Sequence, residues 1–199
     1  MKDLVFKCNK CNKNNIFDIE DEFNLTNNVE LLKKIYNDSL FSYTCKECNN
    51  LHVLEYEALF IDDNYKFIIK LNPSNELKVL INNDINYSEY KIRVVNSLND
   101  LKEKLRIFYS SLNDHSIEVI KEKLNNSFKE EYDIDYLCFS SFKDNKVSFI
   151  AINSKNEYIG TLNYSFLGYN NILNSINIDN NLQIVDNNLA KKYLKVMNK

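Results

Sequence analysis

FKCNKCNK, residues 6–13, holds one C-x2-C pair, Cys8 and Cys11; TCKECNN, residues 44–50, holds a second, Cys45 and Cys48. Two such pairs match a tetrahedral four-thiolate site in which each pair supplies adjacent corners. The 33 residues between Cys11 and Cys45 exceed the span of a compact zinc ribbon, so that segment must fold in its own right. Asn12 and Asn49 each follow the second cysteine of a pair, where a left-handed turn is needed; after glycine, Asn tolerates that region best. Lys7, Lys10, Lys13 and Lys46 lie near enough in sequence to offset the net negative charge of four thiolates around Zn2+.

Other readings of the pairs are weaker. A dithiol redox centre normally sits in a thioredoxin-like βαβ pattern, which is missing. Disulfides call for an export signal, and MKDLVFKCNKC has no apolar region of signal-peptide length. A rubredoxin-like iron site uses the same ligands, so spacing leaves iron open beside zinc. Catalytic zinc is disfavoured, because four thiolates leave no position for water. His52, in LHVLEYEALF, reads as an ordinary strand residue once four cysteines complete the shell.

Composition sets the wider frame. The 199 residues are 44% hydrophobic, with 13 Tyr and 12 Phe, enough for one large domain or two small ones. Glycine occurs twice and proline once, while Asn makes up about a sixth of the chain. That bias matches an AT-rich bacterial genome, and it obliges turns with positive φ to use Asn. Net charge is −3 with a pI near 5.5, and no basic run stands out, which disfavours nucleic acid as a partner. No segment reaches the apolar length of a membrane span, so the chain is expected in the cytoplasm.

Between the pairs, NIFDIEDEFNLT reads as a strand and NNVELLKKIYNDSLF as a short amphipathic helix, capped by Asn27 with Glu30 three positions on. LFSYT, LHVLEYEALFID, YKFIIKLN and YKIRVVNS read as strands. Ser97 with Asp100 caps a helix whose Leu98, Leu101, Leu105, Phe108 and Leu112 share one face; Ile117, Ile120 and Leu124 mark a second. IDYLCFSSF, KVSFIAI and EYIGTLNYSF form an antiparallel meander, NNILNSINIDNN a loop, and NNLAKKYLKVMNK a terminal basic helix. The fold class is α+β: a zinc-ribbon-like antiparallel sheet with an inserted helix and a following helical pair (1–124), then a β-meander with a terminal helix (125–199).

LVFKCNKCNK, LFSYTCKECNN, EALFIDD, KFIIKLNP and YKIRVVNSLNDLKEKLRIFYSSLNDHSIEVIK together resemble the CpXC family of bacterial proteins over residues 1 to 124. The resemblance implies a zinc-ribbon-like metal site and no particular activity. The family's proline after the first cysteine of a knuckle is replaced by Asn9 and Lys46, which loosens the turn without touching a ligand.

Three further groups have bland explanations. Cys138 reads as a small apolar strand residue, and His115 as an exposed residue at a helix start beside Asp114. Asp18, Glu20 and Glu22 would share a strand face and could collect a cation, although a solvated surface explains them as well. The resulting expectation is a non-enzymatic zinc protein with a structural site at Cys8, Cys11, Cys45 and Cys48 and another protein as its partner. A nucleic-acid-binding ribbon is the alternative, with Lys191, Lys192, Lys195 and Lys199 as its one basic feature. An enzyme built on His115 or Cys138 is weaker still.

Overall fold

The computed structural model describes residues 2–72 and 89–197, which excludes Lys199 of the expected basic helix. Two compact units are present, residues 1–102 and 103–199.

The first unit begins with two short hairpins, each carrying one cysteine pair. β1 (Lys2–Lys7) pairs antiparallel with β2 (Asn14–Ile19), and β4 (Ser42–Thr44) with β5 (Leu51–Val53). Between the hairpins lie β3 (Glu22–Asn24) and α1 (Val29–Tyr36). The N-cap of α1 is Asn28, one residue later than the sequence suggests: its side chain accepts from Leu31 N at 3.0 Å, while Asn27 takes a positive φ of 59°. NIFDIEDEFNLT is two strands in different sheets, since β2 ends at Ile19 and β3 pairs with β6 (Ala58–Asp62). LHVLEYEALFID likewise divides between β5 and β6.

β6 and β7 (Phe67–Leu71) are the centre of a four-stranded sheet ordered β3-β6-β7-β8, with β8 at Lys91–Val95. The β6–β7 pair is antiparallel, whereas β3–β6 and β7–β8 are parallel. A parallel neighbour needs a long crossover, and α1 with the second hairpin forms the one between β3 and β6. The central strand shows its burial on both faces: Phe67, Ile68, Ile69 and Leu71 are all buried, without polar alternation.

α2 (Leu98–Tyr109) starts as expected, with Ser97 Oγ accepting from Asp100 N at 3.1 Å. Leu98, Leu101, Leu105, Phe108 and Leu112 are all buried. In the second unit α3 (Asp114–Phe128) is capped by Asn113, which accepts from Ser116 N at 3.1 Å. β9 (Tyr136–Lys143), β10 (Lys146–Ile152) and β11 (Tyr158–Ser165) form the antiparallel meander. Asp144 and Asn145, both at positive φ, make the two-residue β9–β10 turn. Leu137, Phe139, Val147, Phe149 and Ala151 form its buried face. Two helices complete the unit, α4 (Phe166–Ser175) and α5 (Asn187–Met197). The first half of NNILNSINIDNN is thus helical. Ser165 Oγ caps it by accepting from Gly168 N, and burial of Tyr169 and Ile172 overrides the weak helix preference of Asn.

Buried charge pairs tie this unit together. Lys104 Nζ lies 3.2 Å from Asp114 and 3.5 Å from Glu118, and Lys121 Nζ joins Glu118 at 3.1 Å to Glu103 at 3.0 Å. Glu103 in turn accepts from Phe139 N in β9. Burial alone would lower the Lys121 pKa; the Glu103 and Glu118 carboxylates hold it well above the usual lysine value. No helix among the described residues is long and apolar enough to cross a membrane.

The two glycines behave oppositely. A Cβ at Gly168 would meet Tyr164 Cε1 at 2.6 Å, while one at Gly160 meets nothing within 4 Å. Gly168→Ala is expected to cost about 1–3 kcal/mol in a denaturant titration and Gly160→Ala to be close to neutral.

Candidate metal centre

The hairpins bring the four cysteine sulfurs within 4.8 Å of one another. Cys8 Sγ lies 3.6 Å from Cys48 Sγ, and Cys11 Sγ 3.6 Å from Cys45 Sγ, so each short approach joins one pair to the other. These are free thiols, far beyond disulfide length. A tetrahedron with ligands at about 2.3 Å has edges of about 3.8 Å, so the donor set fits a thiolate-bound metal ion. Cys8 and Cys45 are buried, and Cys11 and Cys48 are half-buried.

Each knuckle is the image of the other. Cys8 N donates to Lys13 O at 2.9 Å and Asn12 N to Cys8 O at 2.9 Å; Cys45 N donates to Asn50 O at 2.9 Å and Asn49 N to Cys45 O at 3.0 Å. Both turns close through an Asn at positive φ, 59° at Asn12 and 56° at Asn49, as the sequence predicts. The Cys8 sulfur accepts from the Cys11 and Lys10 N–H groups, and the Cys45 sulfur from those of Cys48 and Glu47. Cys11 and Cys48 each take a single backbone N–H, from Lys13 and Asn50.

The correspondence extends to side chains that sequence reasoning missed. Asn15 and His52 each stand four residues beyond the second cysteine of their own knuckle and reach the first sulfur of the other. Asn15 Nδ2 donates to Cys45 Sγ at 3.4 Å, and its Oδ1 accepts from Lys46 N at 2.9 Å. His52 Nε2 lies 3.3 Å from Cys8 Sγ and 3.2 Å from Asn50 Nδ2. The repeated +4 spacing is the one signal in the sequence that could have found them. His52 does lie in strand β5, but it is no ordinary strand residue. Of the four lysines, Lys46 is engaged locally, with Nζ on Ile16 O at 2.7 Å and over the Phe17 ring at 4.8 Å.

From His52 a run of ring contacts leads inward. His52 meets Phe6, Phe6 stacks on Phe17, Phe17 meets Tyr43, and Tyr43 meets Tyr56, with centroids 5.0–6.4 Å apart. Tyr56, Phe41, Phe60 and Phe23 then continue into the core of the four-stranded sheet.

Protonation divides the sulfurs by knuckle position. At Cys8 burial pushes the thiol up, but the Cys11 and Lys10 N–H groups, with His52 and Cys48, outweigh it and bring the pKa down to about 6. Cys45 is lowered in the same way: burial opposes, and the Cys48 and Glu47 N–H groups with the Asn15 amide prevail. At Cys11 the Lys13 N–H pulls down, yet burial and the neighbouring sulfurs of Cys48, Cys45 and Cys8 push the thiol up to about 12. Cys48 is raised as well, against its Asn50 N–H, by burial and by Cys8 and Cys45.

The other candidates stand apart from this centre. Asp18 lies in β2 and Glu22 in β3, strands of different sheets, with Glu20 between them, so they share no strand face. His115 is fully buried, with Nδ1 2.9 Å from Tyr193 Oη; the expectation of an exposed helix start fails because the first turn of α3 is inside the second unit. Cys138 is a half-buried β9 residue whose Sγ faces Phe139 O at 3.6 Å.

Compared with known proteins, residues 6–121 match the family model described as CpXC protein, more than half of the chain. No curated protein and no solved structure matches.

Metal and protons compete for the same sulfurs, so affinity must rise with pH. Near pH 7.5 Cys8 is already a thiolate, while Cys11 and Cys48 still carry protons that metal must displace. Uptake of one divalent ion is expected to release at least two protons there, from Cys11 and Cys48, and more below pH 6, where Cys8 is protonated too. Titration in dilute buffer with a pH electrode measures the release; uptake without it would contradict the ligand set.

Proposed function

This chain belongs to the CpXC family, and from that premise we propose that it is a zinc-binding, non-catalytic protein whose Cys8, Cys11, Cys45 and Cys48 hold one structural Zn2+. The observation that carries the reading is the approach of four sulfurs to within 4.8 Å, with the knuckle amides directed at them. Four protein thiolates fill a tetrahedron and leave no place for a substrate or an activated water. When bound, the ion supplies cross-linking rather than Lewis acidity. Cys8, Cys11, Cys45 and Cys48 would ligate it, and Asn15 and His52 would orient Cys45 and Cys8.

In this reading the protein is cytoplasmic and bacterial, where thiols stay reduced, and it acts by contacting another protein. Val5 and Ile16, cross-strand partners in the first hairpin, and Leu51 and Val53 in the second are all more than half exposed, which supports a protein partner. Nucleic acid is less favoured: the exposed Lys191, Lys192 and Lys195 of α5 are a small basic feature on a chain of net charge −3.

Elemental analysis of protein purified without added metal is expected to show one zinc per chain and little iron. Chelation should abolish the near-ultraviolet dichroism of the tyrosines around the hairpins, and zinc should restore it, because structural zinc contributes on the order of 10 kcal/mol to folding. One iron per chain would replace zinc in this reading, and an unchanged spectrum after complete metal removal would refute a structural role.

A further inference from the structure

The four sulfurs are not equivalent, and the inequality has a chemical direction. Cys8 accepts two backbone N–H groups and faces His52 Nε2; Cys45 accepts two and the Asn15 amide. Cys11 and Cys48 accept one backbone N–H each. Exposure follows the same split: the first cysteine of each knuckle is buried and the second is half-buried. A metal-bound thiolate is acceptor-only, so the His52 tautomer with a proton on Nε2 is the one that serves Cys8. Every donated N–H withdraws electron density from sulfur and lowers its nucleophilicity, as every added donor lowers its proton affinity.

We propose that Cys11 and Cys48 are the modification sites of the metal-loaded centre, the sulfurs at which soft, thiol-directed electrophiles attack, and that His52 and Asn15 protect Cys8 and Cys45. This rests on the metal-site reading above. With metal bound all four sulfurs are thiolates, so the order of attack follows donor number and access. In the step itself a sulfur lone pair forms a C–S bond to one alkene carbon of a maleimide. The displaced π electrons take a proton from water at the neighbouring carbon, and nothing is oxidised or reduced. The thioether sulfur is neutral and a poor ligand, so the sulfur–metal bond is lost. Attack at either outer sulfur therefore opens the centre, and the chain becomes a sensor of electrophiles.

The test uses full-length protein whose metal content has been measured, treated with sub-stoichiometric N-ethylmaleimide under native conditions. Chymotrypsin cuts after Phe6 and Phe17 and after Tyr43 and Leu51, which recovers each knuckle on one peptide, 7–17 or 44–51, whose fragment ions assign the label to a single cysteine by mass spectrometry. First labelling is expected at Cys11 and Cys48 over Cys8 and Cys45 by at least about tenfold. His52→Ala should raise labelling of Cys8 and leave Cys45 protected, and Asn15→Ala should do the reverse. His52→Gln, which keeps an N–H donor, should restore protection, an outcome that mere loss of packing would not give. Metal-loaded wild-type protein labelled equally at all four sulfurs, or first at Cys8 and Cys45, overturns the proposal whether or not the variants fold. Protein purified without metal would instead overturn the metal-site reading, and this inference with it.

Discussion

Four sulfurs from residues 8, 11, 45 and 48 must lie within 4.8 Å of one another, and the path of the chain through the first unit follows from that constraint. The two hairpins could not meet this requirement by their own packing. β4 and β5 have three residues each, and the outer faces of both hairpins carry exposed apolar side chains. Isolated two-stranded hairpins are marginal in water. In the reading proposed above, a metal ion worth on the order of 10 kcal/mol is larger than any term these strands offer, and cross-linking rather than burial would hold the ribbon. The segment between the knuckles can then fold on independent terms, and β3 and α1 leave the ribbon to help build the four-stranded sheet.

Ribbon and sheet are nevertheless joined by side chains. The rings running from His52 through Phe6, Phe17, Tyr43, Tyr56 and Phe41 to Phe60 connect a side chain that touches the Cys8 sulfur with the hydrophobic core. Aromatic contacts of this kind contribute about 0.5–1.5 kcal/mol each beyond their buried area, so order at the centre and order in the sheet support each other. The second unit stands on different physics. Its chain of buried charges from Asp114 to Glu103 is satisfied at each step and ends on a strand amide at Phe139. Such a network adds little net stability, but removal of one member would strand the rest in low dielectric.

The legible parts of this protein are those governed by local chemistry. Knuckle spacing, the left-handed Asn12 and Asn49, the Ser97 cap and the alternation of the meander all depend on neighbours within a few residues. What stayed hidden depends on partners far away in sequence. The parallel β3–β6 and β7–β8 pairs arise from crossovers that no local pattern announces. His52 looks like any strand residue until the dyad relation of the knuckles sets it beside Cys8, 44 positions earlier. Asn15 carries the same partnership with Cys45, 30 positions later. His115 follows a cap and an Asp, both signs of exposure, yet Tyr193, 78 residues on, encloses it. The helix inside NNILNSINIDNN likewise follows from burial of Tyr169 and Ile172, which outweighs the propensity of the asparagines around them.

Among the described residues, Asn12, Asn27, Asp38, Asn49, Lys66, Ser111, Asp144, Asn145 and Asn156 adopt positive φ, and neither glycine does. Each of these side chains adds steric cost to the folded turn, but it also narrows the conformations open to the unfolded chain. A glycine at the same point would relax the native turn and enlarge the disordered ensemble. The two effects oppose one another, so a protein nearly free of glycine can keep its tight turns with less entropy to lose on folding. A bias in amino-acid composition thereby becomes a property of the denatured state.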